Sequence, residues 1–179
     1  MLKIGSAAKS RVVTLKSMNK KYLKVIPQYQ KLQVVVNEEI IKDYMVSTAI
    51  NGLGEKINSG KTPRGWHQIR AKIGDKQPMN TVFIGRRPTG EIYSAALGRQ
   101  YPGRDWILTR ILWLSGLEVG KNRKGNVDTM RRFIYIHGYP DDSPMGMPLS
   151  KGCIRMHNKD IVELFDIVDS GTKIYIEEL

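Results

Sequence analysis

Cysteine is nearly absent from this chain. Cys153 is the only one among 179 residues, which excludes an internal disulfide and any metal site built from several thiolates. Histidine is almost as scarce, and His67, His137 and His157 show no zinc spacing, so neither a metal nor any other cofactor is expected. Long apolar runs are missing as well. "LQVVV" and "WILTRILWL" fall far short of the roughly 18 residues that a membrane-spanning helix needs, and no membrane span is expected. The first 37 residues contain no acid, although they carry Lys3, Lys9, Arg11, Lys16, Lys20, Lys21, Lys24 and Lys31. That opening stretch lacks the apolar segment of a signal peptide. Acidic residues gather instead in the last 20 residues, leaving a net charge of +12 unevenly spread. A basic face of this kind suits either a solvated surface or contact with a polyanion.

The stretch "GEKINSGKT" (54–62) ends like a phosphate-binding loop but lacks its first glycine. Gly54 lies six positions before Gly60 rather than five, and Glu55 holds the required place. Pro63 also drives Thr62 out of the helical region that a P-loop threonine enters.

The length suits one domain with a proper core. Short runs rich in β-branched and aromatic residues predict strands at 22–26, 31–36 and 39–49, with Asn37-Glu38 as a hairpin turn. Further strands are expected at 65–73, 80–86 and 172–176. Glycine-rich, polar segments 88–105 and 115–128 read as long loops. "LTRILWLSG" (108–116) is compatible with a strand or a short buried helix. One helix is clear: "KDIVELFDIVDSG" places Ile161, Leu164, Phe165 and Val168 at helical spacing, with Asn158 as its N-cap.

The chemistry concentrates in "FIYIHGYPDDSPMGMPLSKGCIRMHN" (133–158). A strand ends in His137-Gly138, and Cys153 follows inside Ser150-Lys151-Gly152-Cys153-Ile154-Arg155. A thiol is a good nucleophile at neutral pH only as a thiolate, and an imidazole can supply this by taking its proton and later protonating a leaving amine. Gly152 allows a sharp turn that aims N–H groups around Cys153 at a developing oxyanion. In extended chain Arg155 shares a face with Cys153, and its planar fork suits a substrate carboxylate. His157 is the rival base, placed beside the helix start.

At these residues the sequence resembles the L,D-transpeptidase family, whose YkuD-type catalytic domain carries a His-Gly, a spacer of about fifteen residues and then Ser/Thr-His-Gly-Cys with a nearby Arg or Asn. Here residues 138 to 152, fifteen in all, separate His137 from Cys153. "VSTAINGLG", "KTPRGWHQI", "RMHNKDIVELFDIV" and "GTKIYI" look like further parts of that domain, so "GKTPRG" reads as its turn rather than a phosphate loop. Lys151 departs from the family's commonest motif, which has a second His there.

The resemblance implies a mainly β fold, a twisted mixed β-sandwich with one main helix after the cysteine, over residues 20–179, preceded by a basic segment 1–19. It implies action on peptidoglycan stem peptides or soluble muropeptides, with no nucleic acid as partner. Cys153 would attack the L-centre carbonyl of the diamino acid in a tetrapeptide stem and expel D-alanine; His137 would be base, then acid, oriented by the Gly138 carbonyl. Gly152 would support the nucleophile, and Ser150, Lys151 and Arg155 would meet the substrate. The acyl group would pass to an amine (transpeptidase) or to water (carboxypeptidase). The compartment expected is periplasm or cell wall if a leader precedes Met1, and cytoplasm if Met1 is the native start. A reading from another class is a basic binding module for nucleic acid or a wall polymer, with an inert thiol.

Overall fold

The computed structural model describes residues 20–178, and the basic segment 1–19 lies outside the described residues. The chain opens as a meander of β1 (Lys21–Ile26), β2 (Lys31–Val36) and β3 (Glu39–Met45). Asn37 and Glu38 both adopt positive φ, at 51° and 69°. That is the two-residue turn whose own twist matches that of paired strands. Next come β4 (Gly65–Ile73), β5 (Thr81–Ile84), β6 (Arg87–Ile92), α1 (Ala95–Gln100), β7 (Leu108–Gly116), β8 (Tyr135–Gly138), β9 (Ile154–Met156), α2 (Asn158–Ile167) and β10 (Lys173–Ile176).

These strands form one mixed sheet, ordered β3-β2-β1-β10-β4-β7-β5-β6, which branches at β7 to take on β8 and then β9. Only β1/β10 and β8/β9 among the named pairs are parallel. The branch coincides with a register shift between Leu108 and Ile111, where Thr109 takes φ 68°, an uncommon conformation for a β-branched residue. The sheet then curls until its ends meet. Beyond β3, Ser47 and Arg155 exchange two backbone hydrogen bonds of 2.9 Å, and Ser150 N–H donates to Thr48 O at 2.9 Å.

Both halves of the curled sheet face one core that includes Leu23, Val34, Ile69, Leu114, Ile136 and Ile174. Helix α2 adds Ile161, Leu164 and Phe165 to it, the i, i+3, i+4 stripe read from the sequence. Each such side chain contributes about 1.5–3 kcal/mol when fully buried. The sheet and its main helix are thus the mainly β, mixed architecture expected.

Several local expectations need correction. Asn158 is the first residue of α2 rather than its N-cap, and His157 stands in the cap position without a side-chain cap bond. Asp141 takes over the task, its Oδ1 accepting the Asn158 N–H at 2.9 Å. Asn158 is drawn inward because its Nδ2 donates to Tyr139 O at 2.9 Å and its Oδ1 accepts from the Thr109 hydroxyl. The segment 88–105 is not all loop: it holds most of β6 and the short helix α1, capped by Ser94 Oγ. Strand β6 escapes periodicity because it is exposed on both faces and punctuated by Pro88 and Gly90. Segment 108–116 is a strand, and the strand expected over 39–49 ends at Met45, beyond which only bridges continue.

His67 on β4 is fully buried. Its Nδ1 faces Gly65 O and its Nε2 faces Thr129 Oγ1, each at 3.0 Å. A carbonyl only accepts, so Nδ1 carries a proton. Burial pushes its pKa down to about 4, with the Gly65 bond opposing. Between about 6.5 and about 4 the unfolded chain therefore binds a proton that the folded protein refuses. Stability from this group is complete above the upper value and falls as pH drops towards the lower one. Urea midpoints measured from about pH 7 to about pH 4.5 should decline, and His67→Gln should decline less steeply. Equal slopes in the two proteins would remove His67 from the acid response.

Candidate active site

Side chains alternate along paired strands, and the parallel register of β8 and β9 uses this to gather the site. Ile136 lies beside Ile154 and His137 beside Arg155, so the two isoleucines point into the core while the opposite face presents Tyr135, His137, Cys153 and Arg155. That face floors a cleft of about 540 Å³, whose walls include Arg86, Asp105, Arg132 and Lys151. Among the described residues no group of three His, Cys, Asp or Glu side chains could hold a metal.

The Cys153 Sγ accepts from Tyr135 N–H at 3.3 Å and lies 3.5 Å from Phe133 O, to which its thiol donates. Burial pushes the thiol up to about 12; the Tyr135 bond opposes this, Asp105 adds to it, and Arg155 and Arg132 oppose it. His137 Nδ1 lies 2.8 Å from the Gly138 carbonyl and must donate to it, which leaves Nε2 as the basic nitrogen. Burial pushes this imidazole down to about 4, against the pull of the Gly138 bond and Asp105. Burial thus opposes the charged form of each group, the thiolate and the imidazolium alike.

The loop that carries Cys153 is braced from behind. Gly152 takes φ 132°, and an added Cβ would meet Ile134 Cδ1 at 3.2 Å. Its carbonyl accepts from Thr62 Oγ1 at 3.0 Å, and the same hydroxyl accepts from Ala49 N–H at 3.0 Å. Thr62 is wholly buried, so the "GKTP" stretch is a strut beneath the cysteine. Arg132 clamps the stretch that contains this strut, donating to Gly54 O at 3.1 Å and Lys61 O at 2.5 Å. Gly138 is required for a different reason, since a Cβ there would lie 2.7 Å from Leu108 O and 2.5 Å from Asn158 Oδ1.

The structure gives Arg155 and Ser150 partners other than substrate. Arg155 is only 7% exposed: its guanidinium donates to Asp105 Oδ1 at 2.8 Å and Leu149 O at 3.0 Å and lies 3.8 Å from the Tyr139 ring centre. Ser150 Oγ donates to Cys153 O at 2.5 Å and accepts from Gly152 N–H at 3.2 Å, holding the loop shut on itself. Lys151 is exposed on the cleft wall. His157 is not part of the cleft; its Nδ1 lies 3.4 Å from Asp141 Oδ1 at the helix start. Sequence reasoning missed Tyr135, Thr62, Arg132 and Asp105, whose roles depend on contacts across 13 to 90 positions of the chain.

Comparison with known proteins places this geometry. Residues 20–176 match the model of the YkuD L,D-transpeptidase catalytic domain. The chain belongs to that family. Among curated members, the putative L,D-transpeptidase YkuD of Bacillus subtilis (strain 168) is 39% identical over 94 residues, 52% of this chain and 47% of that protein. Another, the putative L,D-transpeptidase YqjB of the same organism, is 38% identical over 60 residues, 34% of this chain and 32% of that protein. The matched part thus spans about half or less of these relatives. Solved members share the fold: an L,D-transpeptidase from Mycobacterium smegmatis gives a TM-score of 0.52 at 16% identity, over 89% of this chain and 59% of that one. L,D-transpeptidase 3 from Mycobacterium tuberculosis, with a faropenem-derived adduct, gives 0.54 at 14%, over 89% and 61%.

Two outcomes follow from the family site as built here. Thr62→Val keeps shape but leaves the Ala49 N–H and Gly152 C=O without their partner, which costs about 1–3 kcal/mol for a buried group; denaturant titration should register that loss. Alkylation of Cys153 by iodoacetamide should keep accelerating above about pH 9 in the free protein, since the thiolate forms late. A plateau near neutral pH would mean the thiol is already ionised at rest.

Proposed function

We propose that this chain is a peptidoglycan-modifying cysteine acyltransferase in which Cys153 attacks the L-centre carbonyl of the diamino acid in a tetrapeptide stem. The observation carrying this reading is the pairing of a lone thiol and a tautomer-fixed imidazole on one face of a cleft, in a chain of this family. In the first half-reaction the Sγ proton passes to His137 Nε2 as the S–C bond forms. The oxyanion is met by N–H groups near the Gly152 turn. Collapse of the intermediate breaks the C–N bond to the terminal D-alanine, whose nitrogen takes the proton from His137. In the second half an amine attacks the thioester carbonyl, passes its proton to His137, and displaces the thiolate. Water is the competing acceptor and gives a trimmed tripeptide.

Because burial disfavours both charged forms, ionisation of Cys153 would belong to the bound complex. Substrate excludes water and brings charges the free cleft lacks, which is where the barrier is lowered. Solved relatives carry imipenem or a faropenem-derived adduct, and the same class of acylating agent is expected to label this thiol.

Mass spectrometry of products from a disaccharide tetrapeptide, with and without an acceptor amine, checks the reading. Loss of one alanine alone indicates hydrolysis, and a joined product indicates transfer. Cys153→Ala should abolish both and prevent carbapenem labelling. His137→Ala should lose roughly two to four orders of magnitude in rate, while His157→Ala, outside the cleft, should keep most of it. Full turnover without Cys153 would end the proposal.

A further inference from the structure

The charged side chains lining the cleft are Arg86, Asp105, Arg132, Lys151 and Arg155, so Asp105 is the single carboxylate among them. Three of the cations already have partners in the protein. Arg86 donates to the Tyr135 hydroxyl at 3.0 Å and lies over Trp113, Arg132 holds the carbonyls beneath the cysteine loop, and Arg155 holds Leu149 O and Asp105. Asp105 is different. Its Oδ1 accepts from Arg155 at 2.8 Å, but Oδ2 receives no hydrogen bond from any described residue, and the side chain is 43% exposed.

The carboxylate is also firmly placed. Trp106, next in the chain, is buried against Tyr93 with ring centres 5.0 Å apart, and Ile107 O accepts the Phe83 N–H at 2.9 Å. Arg155 fixes its other side from β9. An open oxygen on an anchored carboxylate, in a cleft otherwise lined by cations, is built to receive a cation from outside the protein. Its charge disfavours a thiolate at Cys153 and favours a protonated His137, so its two effects on that pair oppose one another.

We propose that Asp105 Oδ2 is a subsite for a primary ammonium group of the substrate, next to the reacting thiol. This rests on the stem-peptide reading, in which the diamino acid offers such a group on the donor stem or on the acceptor. Seating an ammonium there would cancel the field of Asp105 at Cys153 and at His137 alike, so the subsite acts through binding and placement of the substrate. A stem lacking the second amine would lose that contact.

Calorimetric titration tests this with inactive Cys153→Ala protein and two tetrapeptides, one with a free side-chain amine and one with that amine acetylated. Acetylation should weaken binding roughly tenfold, about 1.4 kcal/mol. In Cys153→Ala/Asp105→Asn, where the amide oxygen still accepts from Arg155, the two peptides should bind alike. A second arm acylates the wild-type and Asp105→Asn proteins with a carbapenem and titrates an amine-bearing tripeptide. A loss there in Asp105→Asn, with no amine dependence in the first arm, assigns the ammonium to the acceptor. Structural damage from the substitution would weaken both peptides equally and is thereby recognised. Amine-independent binding in the first arm, together with unchanged tripeptide affinity in the second, overturns the subsite and leaves the stem-peptide reading standing. Failure of every peptide to bind overturns both.

Discussion

The parallel pairing of β8 with β9 is the constraint on which the cleft depends. It fixes the relative height of two short segments far apart in sequence, and alternation then sends Ile136 and Ile154 to the core and His137 and Cys153 to the cleft. A slip of one residue would exchange those faces and bury the chemistry. The surrounding structure holds the register. Gly138 lets Leu108 O and Asn158 approach from one side, while the Ser47–Arg155 bridge pairs β9 from the other. Two short strands would be marginal alone, and are stable here because each is paired and backed by core.

Burial secures that geometry and works against the chemistry placed in it. The thiol is pushed towards neutrality and so is the imidazole, both chiefly because their charged forms are poorly solvated.

The curled sheet explains why a stretch that mimics a phosphate loop lies under a cysteine. Closing the sheet brings residues 47–62 alongside 150–155, and backbone groups there fall outside regular ladders. Each buried group still needs a partner. Thr62 supplies partners for Ala49 and Gly152, and Arg132 supplies them for Gly54 and Lys61, so side chains do here what neighbouring strands do in a ladder. The same logic puts Asp141, from the loop before the nucleophile, at the N-terminus of α2.

Local rules carried the sequence reading a long way. Short runs rich in β-branched and aromatic residues marked β1 and β2, Asn37-Glu38 marked the turn before β3, and the 161–165 stripe marked α2, because each signal lies within a few neighbouring residues. The motif from His137 to Arg155 singled out the thiol and imidazole by their rarity and spacing. Tertiary structure alone decided the rest. It turned Arg155 and Ser150 inward, made Thr62 a strut, moved the helix cap from Asn158 to Asp141 and set Asp105 against Arg155 in the cleft that Cys153 lines. Arg155 shows why: 50 positions separate it from Asp105, and no pattern of nearby residues records which distant carboxylate the folded sheet will bring within 2.8 Å. A side chain's type sets what it can bind; burial and long-range partners set what it does bind.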